Sequence, residues 1–367
     1  MNTPAPRKRS HTEPLAFVVD PPPLGIKGAI ARVCERKDLS AEEMASVVGE
    51  IMDGQTTAAQ IGGLLTALRS KGETVDEVVG AARAMRARMT RVALEGAGAP
   101  VVDTCGTGGD GSGSVNVSTL AAVIVAACGV PVAKHGNRAL SSRAGSHDVI
   151  EALGLNPAPS PELAARCLRE VGLAFLFAPT YHAATRHAAA PRKELGVRTV
   201  FNLLGPLTNP AGARFAVNGV FSRDRCELLA RAHQALGAER VMVVNGAGGL
   251  DEFAPSGATL VAELRDGTVR TYEVTPADFG LAAADPEGLR GGEPDLNARM
   301  FIDVLRTAPG PARNAAVMTA AAALCVTGHA PDLTAGARRA AAAIDDGSAL
   351  ALLEKLRLLA PHVPPAG

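Results

Sequence analysis

Tryptophan is absent from this chain of 367 residues, and aromatic residues make up only 3% of it. A core must still be filled, because 47% of the residues are hydrophobic, so alanine, valine and leucine have to build most of it. An excess of either charge is missing too: 37 lysines and arginines stand against 37 aspartates and glutamates. That balance argues against a nucleic-acid binder, which needs a basic surface for phosphates. No apolar run reaches the roughly 18 uninterrupted residues of a membrane span. The first residues, "MNTPAPRKRSHTEPLAFVVDPPPLG", begin basic but lack the apolar stretch of a secretory signal, and their prolines suggest a loosely ordered tail over 1–25. The six cysteines (34, 105, 128, 167, 226 and 325) form no C-x-x-C pair and no Cys/His metal spacing. Reduced thiols in a cytoplasmic protein fit that scatter best.

Helical signals fill the segment after the tail. "LSAEEMASVVGEIMDG" opens on a capping box, Ser40 with Glu43, and places Met44, Val47, Val48 and Ile51 on one face. "TTAAQIGGLLTALRSKG" repeats the plan with Thr57 and Gln60, and "TVDEVVGAARAMRARM" repeats it again with Thr74 and Glu77. The reading is a small helical domain over 26–98, ending in the Gly/Ala-rich link "LEGAGAP". From about residue 99 to 367 short apolar runs alternate with helical stretches, the pattern of an α/β domain. The strand candidates are "PVVDT", "VPVAKHG", "LAFLFAP", "FAVNGVF", "RVMVVNG", "TLVAELRDG" and "VRTYEV". The last two flank a plausible hairpin at "RDG", so the sheet is expected to be mixed and largely parallel. The segment at about 186–210, "RHAAAPRKELGVRTVFNLLGPLTNP", breaks the strand rhythm and is read as a return to the helical domain.

Two polar loops carry the chemistry. "DTCGTGGDGSGSVNVST" runs from Asp103 to Thr119 behind an apolar strand. Its "GTGGDG" satisfies G-x-G-x-x-G, but a dinucleotide fold would open its helix at the third glycine and place an acid about 20 residues on. Here the loop runs on through "SGSVN". The P-loop pattern fails as well, since no Lys-Ser/Thr follows. What remains is a long N–H-rich loop, the hydroxyls of Ser112, Ser114, Ser118 and Thr119, and a helix N-terminus, a combination suited to phosphate or pyrophosphate. The second loop, "KHGNRALSSRAGS" from Lys134 to Ser146, also follows a strand and precedes a helix, and carries Lys134, Arg138 and Arg143. Neighbouring strands would bring both loops to the same carboxyl edge.

Together these stretches resemble the anthranilate phosphoribosyltransferase family, from about Lys27 to near the end of the chain. The markers are "DTCGTGGDG" with "NVST", "VPVAKHGNR", "FLFAP", "RKELGVRT" with "FNLLGPLTNPA", and "GLDE". The resemblance implies a small α-helical domain hinged to an α/β domain of nucleoside phosphorylase/phosphoribosyltransferase type, a homodimer through the helical domain, and Mg²⁺. It implies transfer of the 5-phosphoribosyl group of phosphoribosyl pyrophosphate (PRPP) to the amine of anthranilate, with release of pyrophosphate, in tryptophan biosynthesis. Carried over by position, Gly106, Gly109 and Asp110 would border PRPP, and Ser114, Asn116, Val117, Ser118 and Thr119 would hold it further. Lys134, His135, Gly136, Asn137, Arg138, Ala139, Leu140, Ser141, Ser142 and Ser146 would complete that site. Gly106, Asn137 and Arg192 would contact anthranilate. Ser118, Asp251 and Glu252 would hold the metal. Two positions depart from the family pattern: Ser114 stands where threonine is usual, and His147 where alanine is common.

The chemistry of these residue types suits that assignment. Displacement at an anomeric carbon builds oxocarbenium character while pyrophosphate takes up negative charge. Fixed cations and N–H dipoles stabilise that charge in a dry site. Mg²⁺ takes oxygen ligands, one or two carboxylates among them. A guanidinium at Arg192 binds a carboxylate bidentately. An aniline-type amine is already unprotonated at neutral pH, so no general base is required, and His135 and His182 are read as shaping the aromatic site. Cys105 has no evident activating partner and is read as packing. Two other readings stay open from sequence: a pyrimidine nucleoside phosphorylase-like enzyme, and a non-enzymatic nucleic-acid-binding relative on the same scaffold.

Overall fold

The computed structural model describes residues 24–94, 100–138 and 143–363. The tail, most of the "LEGAGAP" link, and Ala139, Leu140, Ser141 and Ser142 of the second polar loop lie outside the described residues. Four helices come first: α1 (Ile26–Cys34), α2 (Ala41–Met52), α3 (Ala58–Lys71) and α4 (Val75–Arg88). The three capping boxes expected from sequence form in full at α2, α3 and α4, each satisfying backbone donors that an open helix end would leave bare. The apolar faces of α2 and α3 read from periodicity are buried.

All seven strand candidates become strands of one sheet: β1 (Val102–Asp103), β2 (Val132–Gly136), β3 (Leu173–Phe177), β4 (Phe215–Gly219), β5 (Arg240–Asn245), β6 (Thr259–Arg265) and β7 (Thr268–Val274). Their order is β3-β2-β1-β4-β5-β6-β7, with the first five parallel and β6 and β7 antiparallel. The β6–β7 hairpin turns on Asp266 and Gly267, both at positive φ (50° and 70°), which is the demand that Asp-Gly meets in a type I′ turn. The intervening and following helices are α5 (Val117–Ala127), α6 (Ser146–Ala152), α7 (Pro161–Glu170), α8 (Ala178–Tyr181), α9 (Arg186–Leu195), α10 (Phe201–Leu204), α11 (Asp224–Ala235), α12 (Pro294–Leu305), α13 (Pro311–Val326), α14 (Leu333–Asp345) and α15 (Ser348–Leu359). No helix among the described residues is long and apolar enough to cross a membrane.

The chain leaves β1 towards β2 and β3 on one side, then returns to place β4 on the other side of β1. That reversal opens a crevice at the carboxyl ends of β1 and β4, the usual ligand position in such sheets. One hydrophobic core gathers α5, α13 and their neighbours on one face of the sheet. The other joins the helical bundle to the opposite face through α11, with Leu229, Val241, Val243 and Ala262 in the same cluster as Met44, Leu64 and Val78. The segment α9–α10 contributes Ala188, Val200, Phe201 and Leu204 to that second core, and α9 packs on α2 and α3.

Candidate active site

The Gly-rich loop leaves β1 at the crevice. Asp103, the last residue of β1, is fully buried, and its Oδ1 accepts from the backbone N–H groups of Cys105 and His135 at 2.9 and 3.1 Å. Its Oδ2 accepts from Asn209 Nδ2 at 2.6 Å. One carboxylate therefore ties together the start of the Gly loop, the end of β2 and the "GPLTNP" turn. Burial pushes this carboxyl up to about 6, against the opposing pull of Lys134. From the far side, Asn218 of β4 donates to the Cys105 carbonyl at 2.6 Å and meets His233 Nε2 at 2.7 Å. Thr107 N–H donates to the Gly219 carbonyl at 2.8 Å, fixing the loop over the end of β4. Gly219 itself has no room for a side chain: a Cβ there would lie 1.5 Å from the Asp251 carbonyl oxygen. Sequence reasoning passed over Asp103, Asn209, Asn218 and His233. Their signal was a polar residue inside or beside an apolar strand or helix face, which needs a partner once buried.

A cavity of about 330 Å³ lies beneath this loop. It brings together Gly106, Gly109, Asp110, Ser114, Asn116, Ser118 and Thr119 of the first loop with Lys134, His135, Gly136, Asn137, Arg138 and Ser146 of the second. Arg192, Asp251 and Glu252 reach the same space. Val117 does not line it; that side chain is buried in the core under α5. Arg138 lies at the rim, folded back in ion pairs with Asp148 (2.8 Å) and Glu151 (2.8 Å) of α6. Asn116 crosses between the loops, donating to the Ala144 carbonyl at 3.3 Å and accepting from Asn297 of α12 at 3.0 Å. Ser146 Oγ donates to the Asn137 carbonyl at 3.1 Å, and the buried His147 ring stands 3.2 Å from the same hydroxyl and 4.8 Å from the Phe177 ring.

Two unlike cations line the cavity. Lys134 is 3% exposed on β2 and forms no ion pair among the described residues, although it acts electrostatically on Asp103 and Glu252. Three acids of the lining, Asp110, Asp251 and Glu252, lie close together. The Asp251 N–H donates to Asp110 Oδ2 at 3.2 Å, and the Ser118 N–H donates to Glu252 Oε1 at 3.0 Å. Burial, then the charges of Asp110 and Glu252, hold the Asp251 carboxyl well above the usual carboxylate range. Burial pushes Glu252 up to about 7, with Lys134 and Ser118 opposing. Among the described residues no three His, Cys, Asp or Glu side chains converge on a single metal point. Buried acids of raised pKa without a complete protein cage are a donor set that fits Mg²⁺, which takes its remaining ligands from phosphate oxygens and water.

Arg192, in the last turn of α9, also lines the cavity; it lies 5.0 Å over the Phe201 ring and forms no ion pair among the described residues, and burial lowers its pKa. His135 and His182 line the same cavity with ring centres 5.1 Å apart. The Nδ1 of His135 meets the Gly205 carbonyl at 3.0 Å, and its Nε2 is buried without a partner among the described residues. Burial lowers His135 to about 3 and His182 to about 4, so both rings are neutral near pH 7 and poor proton acceptors. Burial pushes the Cys105 thiol up, out of the range of a nucleophile, which agrees with its reading as packing.

Comparison with known proteins narrows the reading. Residues 98–350 match a model described as the a/b domain of a glycosyl transferase family, and residues 27–89 match its helical bundle domain. Anthranilate phosphoribosyltransferase of Rhodopseudomonas palustris is 50% identical over 333 residues, covering 91% of this chain and 98% of the relative. The enzyme of the same name from Rhodospirillum rubrum is 50% identical over 331 residues, covering 90% and 94%. Among solved structures, the Thermus thermophilus anthranilate phosphoribosyltransferase superposes with a TM-score of 0.85 at 42% identity, covering 90% of this chain and 98% of that one. The Saccharomyces cerevisiae enzyme, solved in complex with PRPP and Mg, gives a TM-score of 0.81 at 26% identity, covering 90% and 96%. Relatives at half identity over nine-tenths of the chain decide between the two enzyme readings left open by the sequence, and the chain belongs to the anthranilate phosphoribosyltransferase family.

Proposed function

We propose that this chain binds PRPP between its two polar loops, binds anthranilate at the Arg192 end of the cavity, and transfers the 5-phosphoribosyl group to the anthranilate amine. Pyrophosphate leaves, and the product is N-(5-phosphoribosyl)anthranilate, an intermediate of tryptophan biosynthesis. The observation that carries this reading is one cavity lined by two unlike cations that form no ion pair among the described residues. Arg192 lies over the Phe201 ring. Lys134 acts on the buried Glu252.

In this reading Lys134 and the N-terminal turn of α5 hold phosphate oxygens, with Gly106, Gly109, Asp110, Ser114 and Ser146 shaping the remainder of the PRPP site. Asp251 and Glu252, with the Ser118 hydroxyl, hold Mg²⁺, whose bound charge would offset that building on pyrophosphate. Arg192 takes the anthranilate carboxylate bidentately and so aims the amine at the anomeric carbon. Asn137 and Gly106 stand between the two ligands. The neutral His135 and His182 wall the aromatic site; no residue is assigned as an acid or base. A cytoplasmic location and a homodimer through the helical bundle are part of the proposal, and the family resemblance is their support. Sedimentation at working concentration tests the dimer.

The direct test follows anthranilate fluorescence in the presence of the purified chain. Loss of signal only when PRPP and Mg²⁺ are both present, with stoichiometric pyrophosphate, is the expected result. Consumption without PRPP, or none with it, overturns the reading.

A further inference from the structure

We propose that Arg198 is a positioning residue that sets the peptide orientation of the PRPP loop from outside the cavity, an inference that rests on the function proposed above. Arg198 follows the left-handed Gly196 that ends α9, and its neighbour Thr199 is buried. The guanidinium reaches across to donate to the Gly109 carbonyl, and it stacks 4.3 Å over the Phe221 ring. It forms no ion pair among the described residues. Phe221 closes the circuit: its N–H donates to Thr107 Oγ1 at 3.2 Å, two residues before Gly109.

Gly108, Gly109 and Asp110 line the cavity, whereas Arg198 does not. The arginine therefore pulls the Gly109 carbonyl away from the ligand space. A trans peptide holds its C=O and N–H on opposite sides, so the Asp110 N–H of the same unit is turned towards that space. The Asp110 carboxylate holds the Ser112 and Asp251 N–H groups at 3.0 and 3.2 Å, but among the described residues the Gly109 carbonyl has Arg198 as its partner. Gly108, Gly109, Gly111 and Gly113 all sit at positive φ (65°, 80°, 77° and 64°), where glycine moves freely between peptide orientations. A flipped unit would offer a carbonyl oxygen to a pyrophosphate. Arg198 also belongs to the segment that carries Arg192 and Phe201, so the loop for one substrate is held by the arm that carries the other substrate's arginine.

Two measurements test this on the full chain. Arg198→Ala is expected to raise the KM for PRPP roughly ten- to a hundred-fold, the range for a lost charge-assisted hydrogen bond. The KM for anthranilate should move less than about two-fold, since Arg192 is untouched. Arg198→Lys keeps the charge but loses the planar stack on Phe221, and should recover only part of the loss. In the substrate-free protein, amide exchange over residues 107–112 should quicken in Arg198→Ala while the thermal midpoint stays put. An unchanged PRPP KM, or equal losses for both substrates, overturns the proposal, as does unchanged loop exchange. Should Arg198→Ala not fold, Arg198→Gln carries both measurements. If the unmodified chain fails to consume anthranilate, the parent function has failed, and the exchange experiment still decides whether Arg198 holds the loop.

Discussion

Asn209 gives both protons of one side-chain amide to groups at the root of the active site: one to Asp103 Oδ2 at 2.6 Å, the other to the Ala133 carbonyl at 2.8 Å. Its own Oδ1 accepts from Ala211 N–H at 2.8 Å, so the turn that carries it is locked as well. Asn209→Ala strips two bonds from buried acceptors. The expected cost is about 1–3 kcal/mol of stability, seen as a lower urea midpoint. The PRPP KM should rise with it, because Asp103 also holds the backbone of Cys105 and His135. A variant with parental midpoint and KM would show that the Asp103 cluster is not a support for the loops.

Arg192 is a half-buried cation that lines the cavity and forms no ion pair among the described residues. Arg192→Ala should raise the KM for anthranilate roughly ten- to a hundred-fold and leave that for PRPP within about two-fold. Arg192→Lys keeps the charge without the fork and should lie between. Initial rates with each substrate varied in turn distinguish this from a general loss, in which both constants move together.

Much of this is legible in the sequence itself. Capping boxes and periodicity are local signals, and α2, α3, α4 and the seven strands followed them. The phosphate loops were legible because glycine runs and hydroxyls have a local meaning at a strand-to-helix turn. The Asp103–Asn209 pair was not, since the partners are over a hundred positions apart and each alone is an ordinary polar residue. Nor was the posture of Arg138, which depended on α6 presenting Asp148 and Glu151 in reach of it. The family motif implies Val117 as a ligand position, while α5 turns its side chain into the core. The roles of Asp251 and Arg192 rest on the family resemblance; both residues line the cavity and form no ion pair among the described residues.

The acids predict a pH signature. A carboxyl whose folded pKa lies above its unfolded value binds its proton more tightly when folded. Its contribution is complete below the unfolded value and is lost as pH rises through the folded one. Glu252, raised to about 7, and Asp251, raised as well, therefore destabilise the metal-free protein on the alkaline side. The buried histidines act in the opposite sense, but their cost appears only as pH falls below about 6.5. Between about pH 6.5 and 8 the melting temperature of metal-free protein should thus fall by a few degrees. Mg²⁺ with pyrophosphate should raise it more at the upper end of that window. The pair Asp251→Asn and Glu252→Gln should flatten the slope, and should also demand far more Mg²⁺ for turnover even at saturating PRPP. A slope and a Mg²⁺ titration identical to the parent's would mean that neither acid holds the ion.

His147 fills space under the second loop that alanine would leave open. Its ring contacts Phe177 and sits 3.2 Å from the Ser146 hydroxyl, and burial keeps it neutral by lowering its pKa to about 3. His147→Ala should cost roughly 1–3 kcal/mol by leaving a cavity. It should also raise the PRPP KM a few-fold through a less constrained Ser146. Thermal melting and PRPP kinetics check the two effects separately; if neither changes, the loop has accommodated the smaller residue.

The core shared by the bundle and the sheet bears on how the chain can be taken apart. A cut between residues 94 and 100 would follow the boundary suggested by the two matched family models, yet neither piece would be a self-sufficient folding unit. The piece beginning at Pro100 would present Leu229, Val241, Val243 and Ala262 to water, and the bundle would lose α9 and α10. Truncation, fusion and domain-exchange experiments therefore need both parts, and a destabilising change in the helical bundle will register at the floor of the active site.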